Sequence, residues 1–355
     1  MLLRELFTPN AIAVHWEEVA SNKVPYLGTG LFPARKKAGL DLKWIKGSKG
    51  LPVSLMPSAF DAKATFRNRE GIKLTETEMP FFREGFKVKE KDRQEVLRAT
   101  ESNDPYLNEV LARIYDDATN LIDGANVVPE RMIMQLLFPT TGNPSISILA
   151  NGMTYKYNYD ANNDWKNSNY FTLTGTSVWS DSANADPFND IKTAQDAVSA
   201  KSGNTPSVAI MSRATFNYLA KADAVKNRFL STSGVALGYI SDGDVKRVLA
   251  DTNGVDIIVY EKQYKDEDGA AKKFVPDGFV TLVPQGALGN TWYGTTPEEA
   301  DLMGANTDAK VSIVNTGVAI TQIIDEHPVN INTFASEIVL PSYERMDEVA
   351  TIKVV

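Results

Sequence analysis

The side chains that could act as nucleophiles, bases or metal ligands at neutral pH are few in kind. The chain has no Cys and two His, which are His15 and His327. A thiolate nucleophile is therefore excluded, and two His without their usual partners do not complete a zinc site. No Ser or acid near either His has the spacing of a catalytic triad. From these residue types we expect the protein to have no catalytic residue, no metal site and no cofactor.

The acidic residues offer one partial metal-binding motif. Residues 160–164 imitate the beginning of a calcium-binding loop. The sixth position of such a loop needs Gly but holds Trp165, and the twelfth needs Glu but holds Phe171. The acidic segment at residues 265–269 is also incomplete and is typical of a polar hairpin turn. We therefore expect no calcium site.

Pairs of carboxylates leave one enzymatic alternative open, because a glycosidase needs only two acids. With 45 Asp and Glu in the chain, pairs also occur by chance. Glu298, Glu299 and Asp301 follow Thr296 and Pro297, which is more simply a capped helix start with acids at its positive end. A carboxylate-dependent hydrolase remains an alternative function at this point.

Two short segments could contact phosphate groups. Residues 27–30 resemble half of a phosphate-binding loop, but no strand precedes them and no helix follows. Arg35, Lys36 and Lys37 form a basic triplet without the aromatics or recognition helix of a nucleic-acid reader. Residues 1–89 hold 15 basic and nine acidic residues, although the whole chain has a net charge of −8. This basic N-terminal region could bind nucleic acid, could dock on a neighbouring copy of the chain, or could simply be exposed to solvent.

The front of the chain is predicted to be extended. Residues 1–30 show no sustained period, so we expect an arm with at most a short helix over residues 13–19, held by a neighbouring subunit. Residues 50–90 indicate a long hairpin, whose turn contains Arg67, Asn68, Arg69 and Glu70. Because an isolated hairpin is marginal in water, it should lie against another chain.

The remaining elements predict a mixed α+β fold. A helix begins at Asp104 and carries an apolar stripe with Asp116 and Asp117 on the opposite face, and it could continue through Gly124 and Pro129 as one broken helix. The other predicted elements are strands at 145–148 and 154–159, helices at 187–199, 213–220 and 244–250, strands at 207–211 and 255–260, and extended segments from 311 to the end. No apolar run approaches the ~20 residues of a membrane span and no secretory signal is present, so a cytoplasmic origin is expected.

Several stretches are more specific than composition. In order they are Trp179-Ser180-Asp181, Asp186-Pro187-Phe188-Asn189-Asp190-Ile191, Val255-Asp256-Ile257-Ile258-Val259-Tyr260, Gln263-Tyr264, Lys272-Lys273-Phe274-Val275-Pro276-Asp277, Gly289 and Tyr293-Gly294. This series resembles the major capsid (head) proteins of lambda-type tailed bacteriophages over essentially the whole chain.

The resemblance implies the Hong Kong 97-like capsid fold and a division of the chain into five parts. These are an N-terminal arm at 1–30, an extended β-hairpin loop at 31–90, a peripheral domain with its spine helix at 91–186, an axial domain at 187–317, and C-terminal strands at 318–355 that return to the peripheral domain. It implies a structural protein without enzymatic activity, whose hexamers and pentamers close into an icosahedral shell around double-stranded DNA in the virion.

The resemblance also implies partners and contacts. A separate scaffold protein is expected because no long scaffolding segment precedes the arm, and a portal and a decoration protein are further expected partners. The packaged DNA would be enclosed without sequence-specific binding, and no membrane is involved. The basic front would meet the acidic body of a neighbour through residues that include Arg35, Lys36, Lys37, Arg67, Asn68, Arg69, Glu70, Asp116 and Asp117. A surface-binding virion module is a third alternative, although it would more typically show repeats or regular all-β punctuation.

Overall fold

The structure is a computed structural model of the 355-residue protein. It describes residues 8–20, 24–45, 74–92, 94, 98, 106–150, 153–233, 240–266, 268–303, 309–327 and 329–355. The chain divides into two compact units. The first unit comprises residues 1–42, 76–131 and 290–342, and the second comprises residues 43–75, 132–289 and 343–355.

Both helices and strands are present along the described residues, which confirms the predicted α+β fold class. The α-helices are α1 (Pro9–Ala20), α2 (Leu27–Leu31), α3 (Tyr106–Leu137), α4 (Asp164–Asn169), α5 (Pro187–Ser202), α6 (Arg213–Lys221), α7 (Asp223–Ser233) and α8 (Asp242–Asn253). The strands of the first half are β1 (Ala34–Lys36), β2 (Asp41–Ile45), β3 (Leu74–Glu78), β4 (Phe81–Val88), β5 (Ser145–Ala150), β6 (Met153–Asn158), β7 (Tyr170–Thr172) and β8 (Val208–Met211). The later strands are β9 (Asp256–Val259), β10 (Gln263–Lys265), β11 (Ala271–Lys273), β12 (Phe279–Val283), β13 (Asn290–Tyr293), β14 (Lys310–Val314), β15 (Val318–Glu326), β16 (Val329–Ser342) and β17 (Ala350–Lys353).

The first unit is organised around the long strand β16. This strand pairs antiparallel with β15, β4 and β13, while β14 pairs with β15 and the short β1 runs parallel to β13. Residues 331–336 pair with both β15 and β4, so β16 is central there and is buried along most of its length. Alternating side chains of β16 therefore face two different environments.

One face of this sheet is covered by α1 and α3. Their shared apolar core consists of Ile12, Ala13, Val88, Ala118, Ile122, Val314, Ile320 and Ile331. Two hydrogen bonds hold the N-terminal helices to α3: the Trp16 Nε1 donates to Asp123 Oδ1 at 3.0 Å, and the Gly28 N–H donates to Glu130 Oε2 at 2.8 Å. The prediction of an extended segment with at most a short helix is therefore wrong for residues 9–20, which form a helix whose apolar residues pack on the chain's own α3. The predicted contact of this segment with a neighbouring subunit stays a prediction.

The helix α3 is continuous from Tyr106 through Gly124 and Pro129 to Leu137. The single broken helix that the sequence allowed is thus observed as one element, while its predicted cap Asp104 lies outside the described residues. At its end, the Leu137 carbonyl accepts hydrogen bonds from the hydroxyls of Thr281 at 2.6 Å and Thr351 at 3.1 Å. These hydroxyls satisfy a carbonyl that has no partner within the helix.

The second unit is built on a mixed sheet with the order β7-β17-β12-β8-β9. The strand β12 is antiparallel to β17 and β8, whereas β7 and β9 extend the sheet in parallel pairs. The helices α5, α6 and α8 begin at side-chain caps on Asp186, Ser212 and Ser241. These predicted helices and the strands between them are confirmed. The helix α7 was not predicted; it is separated from α6 by Ala222 alone.

Three two-stranded sheets complete the described structure: β2 with β3, β5 with β6, and β10 with β11. The predicted strands at 145–148 and 154–159 are confirmed as β5 and β6, and the polar turn at 265–269 joins β10 to β11. The hairpin turn predicted at Arg67, Asn68, Arg69 and Glu70 lies outside the described residues. Among the described helices, none is long and apolar enough to cross a membrane.

Candidate functional site

The two histidines do not form a chemical centre in the structure. The His15 ring lies on α1 against the Tyr115 ring, with centroids 5.1 Å apart, and His327 follows β15 at a turn. Within the part of the chain that the structure describes, no group of three His, Asp or Glu side chains could hold a metal ion. The His15 imidazole therefore serves as a packing ring.

The acidic start of the imitated calcium loop caps a helix. Asp160 is fully buried, and its two carboxylate oxygens accept the backbone N–H groups of Trp165 at 3.2 Å and Lys166 at 2.9 Å. These N–H groups belong to the first turn of α4, where a helix has no internal acceptors for them. The carboxylate therefore stabilises the helix start and has no need of a cation.

A Ser-Asp-Lys arrangement, which the sequence analysis missed, lies beside α6. The Ser212 hydroxyl donates to Asp277 Oδ1 at 2.6 Å, and the Lys273 ammonium lies 3.0 Å from both Asp277 oxygens. Burial alone would raise the pKa of Asp277, but the hydrogen bonds from Ser212 and Lys273 outweigh it and lower the pKa. Asp277 in turn raises the pKa of Lys273, so this amine stays protonated and cannot act as a base.

Ser212 in this arrangement is also inaccessible. It is fully buried, and its hydroxyl oxygen accepts the Thr215 N–H at the start of α6. A nucleophile must reach a substrate, whereas this hydroxyl is engaged on both sides. The geometry therefore serves as a helix cap that links α6 to the residues before β12.

The acids at 298–301 lie in a short π-helical turn, Glu298–Leu302, rather than at the start of a longer helix. The predicted Thr cap is present, because the Thr296 hydroxyl accepts the Glu299 N–H at 3.3 Å. Glu298 is paired with Arg83, and Glu299 is paired with Lys36. Each adjacent acid is thus held by a cation of the same unit, which does not resemble the two free carboxylates of a glycosidase.

A buried carboxyl on β16 is the most perturbed acid of the first unit. Glu337 is 1% exposed, and neither of its oxygens has a hydrogen-bond partner among the described residues. Burial raises the pKa of Glu337 well above its usual range. Burial also raises the pKa of Tyr293, and the nearby Glu337 raises it further. A lone acid within the apolar segment 334–340 was the available sequence signal, but it does not reveal burial on a central strand.

The predicted contact residues occupy two separate places in the first unit. Arg35 and Lys36 are exposed on β1, where Arg35 Nε donates to Asn290 Oδ1 at 3.3 Å, and Lys37 Nζ donates to the Asp41 carbonyl at 2.7 Å. Asp116 and Asp117 are exposed on α3 as the sequence predicted.

Across the described residues, no hydrogen bond or ion pair joins the basic triplet to Asp116 or Asp117. Arg67, Asn68, Arg69 and Glu70 lie outside the described residues. A role for any of these positions between subunits stays a prediction.

A cavity of about 370 Å³ opens between the π-helical turn and the face of the first unit's sheet that carries Phe334. Its apolar walls are Pro297, Leu302, Ile323 and Phe334. Its polar walls are Arg83, Glu298, Asp301 and Thr321. This cavity is not predictable from the sequence, because its walls come from β4, the π-helical turn, β15 and β16.

Comparison with known families gives a match over nearly the whole chain. The profile of the family described as phage major capsid protein E matches residues 10–354. A comparison with curated proteins gives no match.

Solved structures give the same picture of the fold. A phage-related protein from Bordetella bronchiseptica RB50 is similar with a TM-score of 0.54 at 13% identity, covering 98% of this chain and 96% of that one. A prophage protein from Escherichia coli CFT073 gives 0.58 at 16% identity, covering 98% and 99%. The capsid asymmetric unit of cyanophage A-1(L) gives 0.50 at 12% identity, covering 93% and 92%. The fold is the Hong Kong 97-like capsid fold, which confirms the predicted fold class.

Proposed function

This chain belongs to the phage major capsid protein E family, and we propose that its copies form hexamers and pentamers that close into an icosahedral head shell around double-stranded DNA. The family membership makes the chain a structural component of the phage capsid, which is assembled from multiple copies of it. The observation that carries the proposal is the family match over residues 10–354.

The proposed role needs no catalysis. The candidate groups that the sequence raised have structural partners in this fold: His15 packs on Tyr115, Asp160 caps α4, and Glu298 pairs with Arg83. These contacts support a protein that is not an enzyme over the carboxylate-dependent hydrolase. The surface-binding virion module has less support, since the family is one of shell proteins.

The proposed partners besides further copies are a separate scaffold protein, a portal and a decoration protein. Packaged DNA is enclosed without sequence-specific contacts, and assembly takes place in the cytoplasm of the bacterial host. The net charge of −8 supports weak adhesion of DNA to the wall, because binding to DNA is strengthened when cations neutralise phosphates.

In the proposed contacts between copies, the basic N-terminal region of one copy (residues 1–89) lies on the acidic remainder of the next copy (residues 90–355). We expect Arg67→Glu with Arg69→Glu to reduce particle yield at least tenfold, because both cations would become like charges toward an acidic neighbour. The matched control is Lys192→Glu with Lys221→Glu on exposed helix positions of the second unit. Particle yield after gradient sedimentation is the measurement, and an unchanged yield would remove these residues from the interface.

Electron microscopy of the purified chain tests the function as a whole. We expect closed shells, or rings of five and six copies, in negative stain, with light scattering that reports the matching mass. A monomer or dimer that remains so when it is co-expressed with its scaffold would contradict the proposal. The acid pairs would then need an enzyme screen.

A further inference from the structure

Two adjacent acids of the π-helical turn each hold a different strand of the first unit. Glu298 is paired with Arg83 on β4, and Glu299 is paired with Lys36 on β1. Adjacent residues of a helical turn point in different directions, so one short turn can reach two strands. The π-helical turn therefore connects β1 and β4 through two ion pairs, and we call this arrangement of Lys36, Arg83, Glu298 and Glu299 the clamp.

The two strands that the clamp connects belong to opposite sides of β16. The Val339 N–H donates to the Pro80 carbonyl at 3.4 Å, on the side of β4. The carbonyl of the neighbouring Ile338 accepts the Gly294 N–H at 2.9 Å, on the side of β13. Neighbouring residues of a strand direct their backbone groups to opposite edges, and β1 extends the sheet beyond β13. Among the described residues β1 has no backbone pairing with β4, so the clamp joins two strands that the sheet does not join directly.

The π-helical turn is fixed by its own hydrogen bonds. The Thr296 hydroxyl accepts the Glu299 N–H at 3.3 Å, and the Thr296 carbonyl accepts the Ala300 N–H at 3.0 Å. At the other end of the turn, the Glu298 carbonyl accepts the Met303 N–H at 3.2 Å. Because these bonds define the backbone around both acids, a displacement of one strand is passed through the turn to the other strand.

The burial of the two acids argues against a role in stability alone. The side chains of Glu298 and Glu299 are 7% and 19% exposed, whereas those of Arg83 and Lys36 are 46% and 34% exposed. The Oε2 atoms of both acids are buried without a hydrogen-bond partner among the described residues. A buried carboxylate oxygen without a partner destabilises a fold, and an ion pair with a largely exposed cation adds little stability. The arrangement is better explained by the need to fix the positions of β1 and β4.

We propose that Glu298 and Glu299 are positioning residues for assembly, which act through Arg83 and Lys36 to fix the two places where residues 37–80 leave and rejoin the sheet. The two ends of that segment are also joined to each other, because the Met79 N–H donates to the Leu40 carbonyl at 2.9 Å. The inference rests on the proposed function, in which the N-terminal region of one copy lies on the next copy. A fixed base of this region sets the angle between neighbouring copies, and that angle determines the curvature of a shell.

Hydrogen exchange with mass spectrometry on the unassembled chain tests the clamp itself. We expect Glu299→Gln to increase exchange at least threefold in peptides that cover β4, although the ion pair of Glu299 is made with β1. Faster exchange in β1 alone would indicate a local salt bridge and would contradict a clamp. The matched control is Lys192→Gln with Asp196→Asn, which removes an exposed ion pair of α5 and should leave exchange in β1 and β4 unchanged.

Cryo-electron microscopy of assembled particles tests the role in assembly. Glu298→Gln with Glu299→Gln removes both charges at nearly constant side-chain volume. We expect at least fivefold fewer shells of the parent diameter, with open or variably sized particles in their place. Lys36→Glu alone should also reduce the yield, whereas Lys36→Glu with Glu299→Lys should restore at least half of it, because the attraction persists with its signs exchanged. Unchanged exchange in the helices of the second unit would verify that the variants are folded.

The two measurements separate the possible failures. Parent diameter and yield in the double Gln variant would overturn the role in assembly, even if exchange in β4 increases. No recovery in the charge-reversed pair would show that the shapes of these side chains matter rather than their attraction, which also contradicts the inference. If the parent chain forms no particles, the proposed function fails and the positioning role fails with it, whereas normal parent particles with unchanged variants contradict this inference alone.

Discussion

The two units of the molecule differ in how completely each satisfies its own buried groups. The second unit contains an apolar core cluster of 20 buried residues, and its helices carry side-chain caps. Among the described residues, the core cluster between α1, α3 and the sheet of the first unit has eight buried residues. Among the described residues, the sheet of the first unit buries the hydroxyls of Thr321, Thr333 and Ser336 and the carboxyl of Glu337 without hydrogen-bond partners, whereas the second unit leaves the amide oxygens of Asn143 and Asn253 without one.

This difference indicates different tasks for the two units. A unit with a large apolar core and satisfied helix ends is stable by itself, because burial of apolar surface supplies most of the folding free energy. Buried polar atoms without partners lower stability, and they persist where another role maintains them. We infer that the first unit retains polar atoms for contacts or for adjustment during assembly, whereas most buried polar groups of the second unit serve its own fold.

A pair of tryptophans gives the largest expected effect and tests the contrast. Trp179 in the second unit is fully buried and donates its indole N–H to Asp190 Oδ2 at 2.9 Å, and Trp16 in the first unit makes the same kind of bond while partly exposed. We expect Trp179→Ala to lower the free energy of unfolding by about 3–5 kcal/mol, because it creates a cavity in the large core. Trp16→Ala should cost about 1–2 kcal/mol.

Hydrogen exchange with mass spectrometry on the unassembled chain would measure the two losses within the two units separately. The variants Trp179→Phe and Trp16→Phe are the controls, since each removes the indole N–H but keeps a ring. An equal or larger loss from Trp16→Ala would show that the first unit depends on its core as strongly as the second.

Glu337 provides the next largest effect, and the size of this effect depends on pH. Burial raises the pKa of Glu337 above the unfolded value of about 4.3, so the folded chain binds a proton that the unfolded chain releases. Raising the pH above the unfolded pKa therefore destabilises the fold until Glu337 ionises in the folded state. We expect Glu337→Gln to increase stability at pH 7, because the neutral amide removes the cost of ionising a buried carboxyl.

The gain from Glu337→Gln should disappear near pH 4, where both states hold the proton. Denaturant unfolding of the unassembled chain at pH 7 and pH 4 is the measurement. Glu84→Gln on the neighbouring strand β4 is exposed and should show no such pH dependence. A variant that is less stable than the parent at pH 7 would mean that the Glu337 carboxylate has a partner in the native protein.

Local signals were sufficient to predict much of the second unit. The helix α5 begins with Asp186 and Pro187, which are a cap and a first-turn residue that act within four residues of sequence. The helix α8 begins at Ser241 with a full capping box, again a local signal. Such elements are predictable because the groups that specify them are neighbours in the chain.

The first unit depends on contacts between segments that are distant in the chain, and such contacts could not be predicted from the sequence. The helix α1 is longer than predicted because Trp16 and its apolar neighbours pack on α3, about a hundred residues later. The cavity assembles from Arg83, Glu298 and Thr321, which lie on separate elements. Burial of Glu337 follows from the central position of β16, which needs the pairing order of the sheet.

The smallest expected effects come from one substitution made at a glycine in each unit. Gly124 lies inside α3 with open space where a Cβ would stand, so Gly124→Ala should raise stability by about 0.5–1 kcal/mol through helix propensity. Gly254 follows α8 with φ of +65°, also with open space, so Gly254→Ala should cost about 1–2 kcal/mol from backbone strain alone. Thermal unfolding of both variants would measure these opposite signs. If Gly124→Ala instead destabilises the protein, another group must pack closely against this surface of α3. Gly124 would then be required for a contact, as we infer for the polar atoms of the first unit that lack partners.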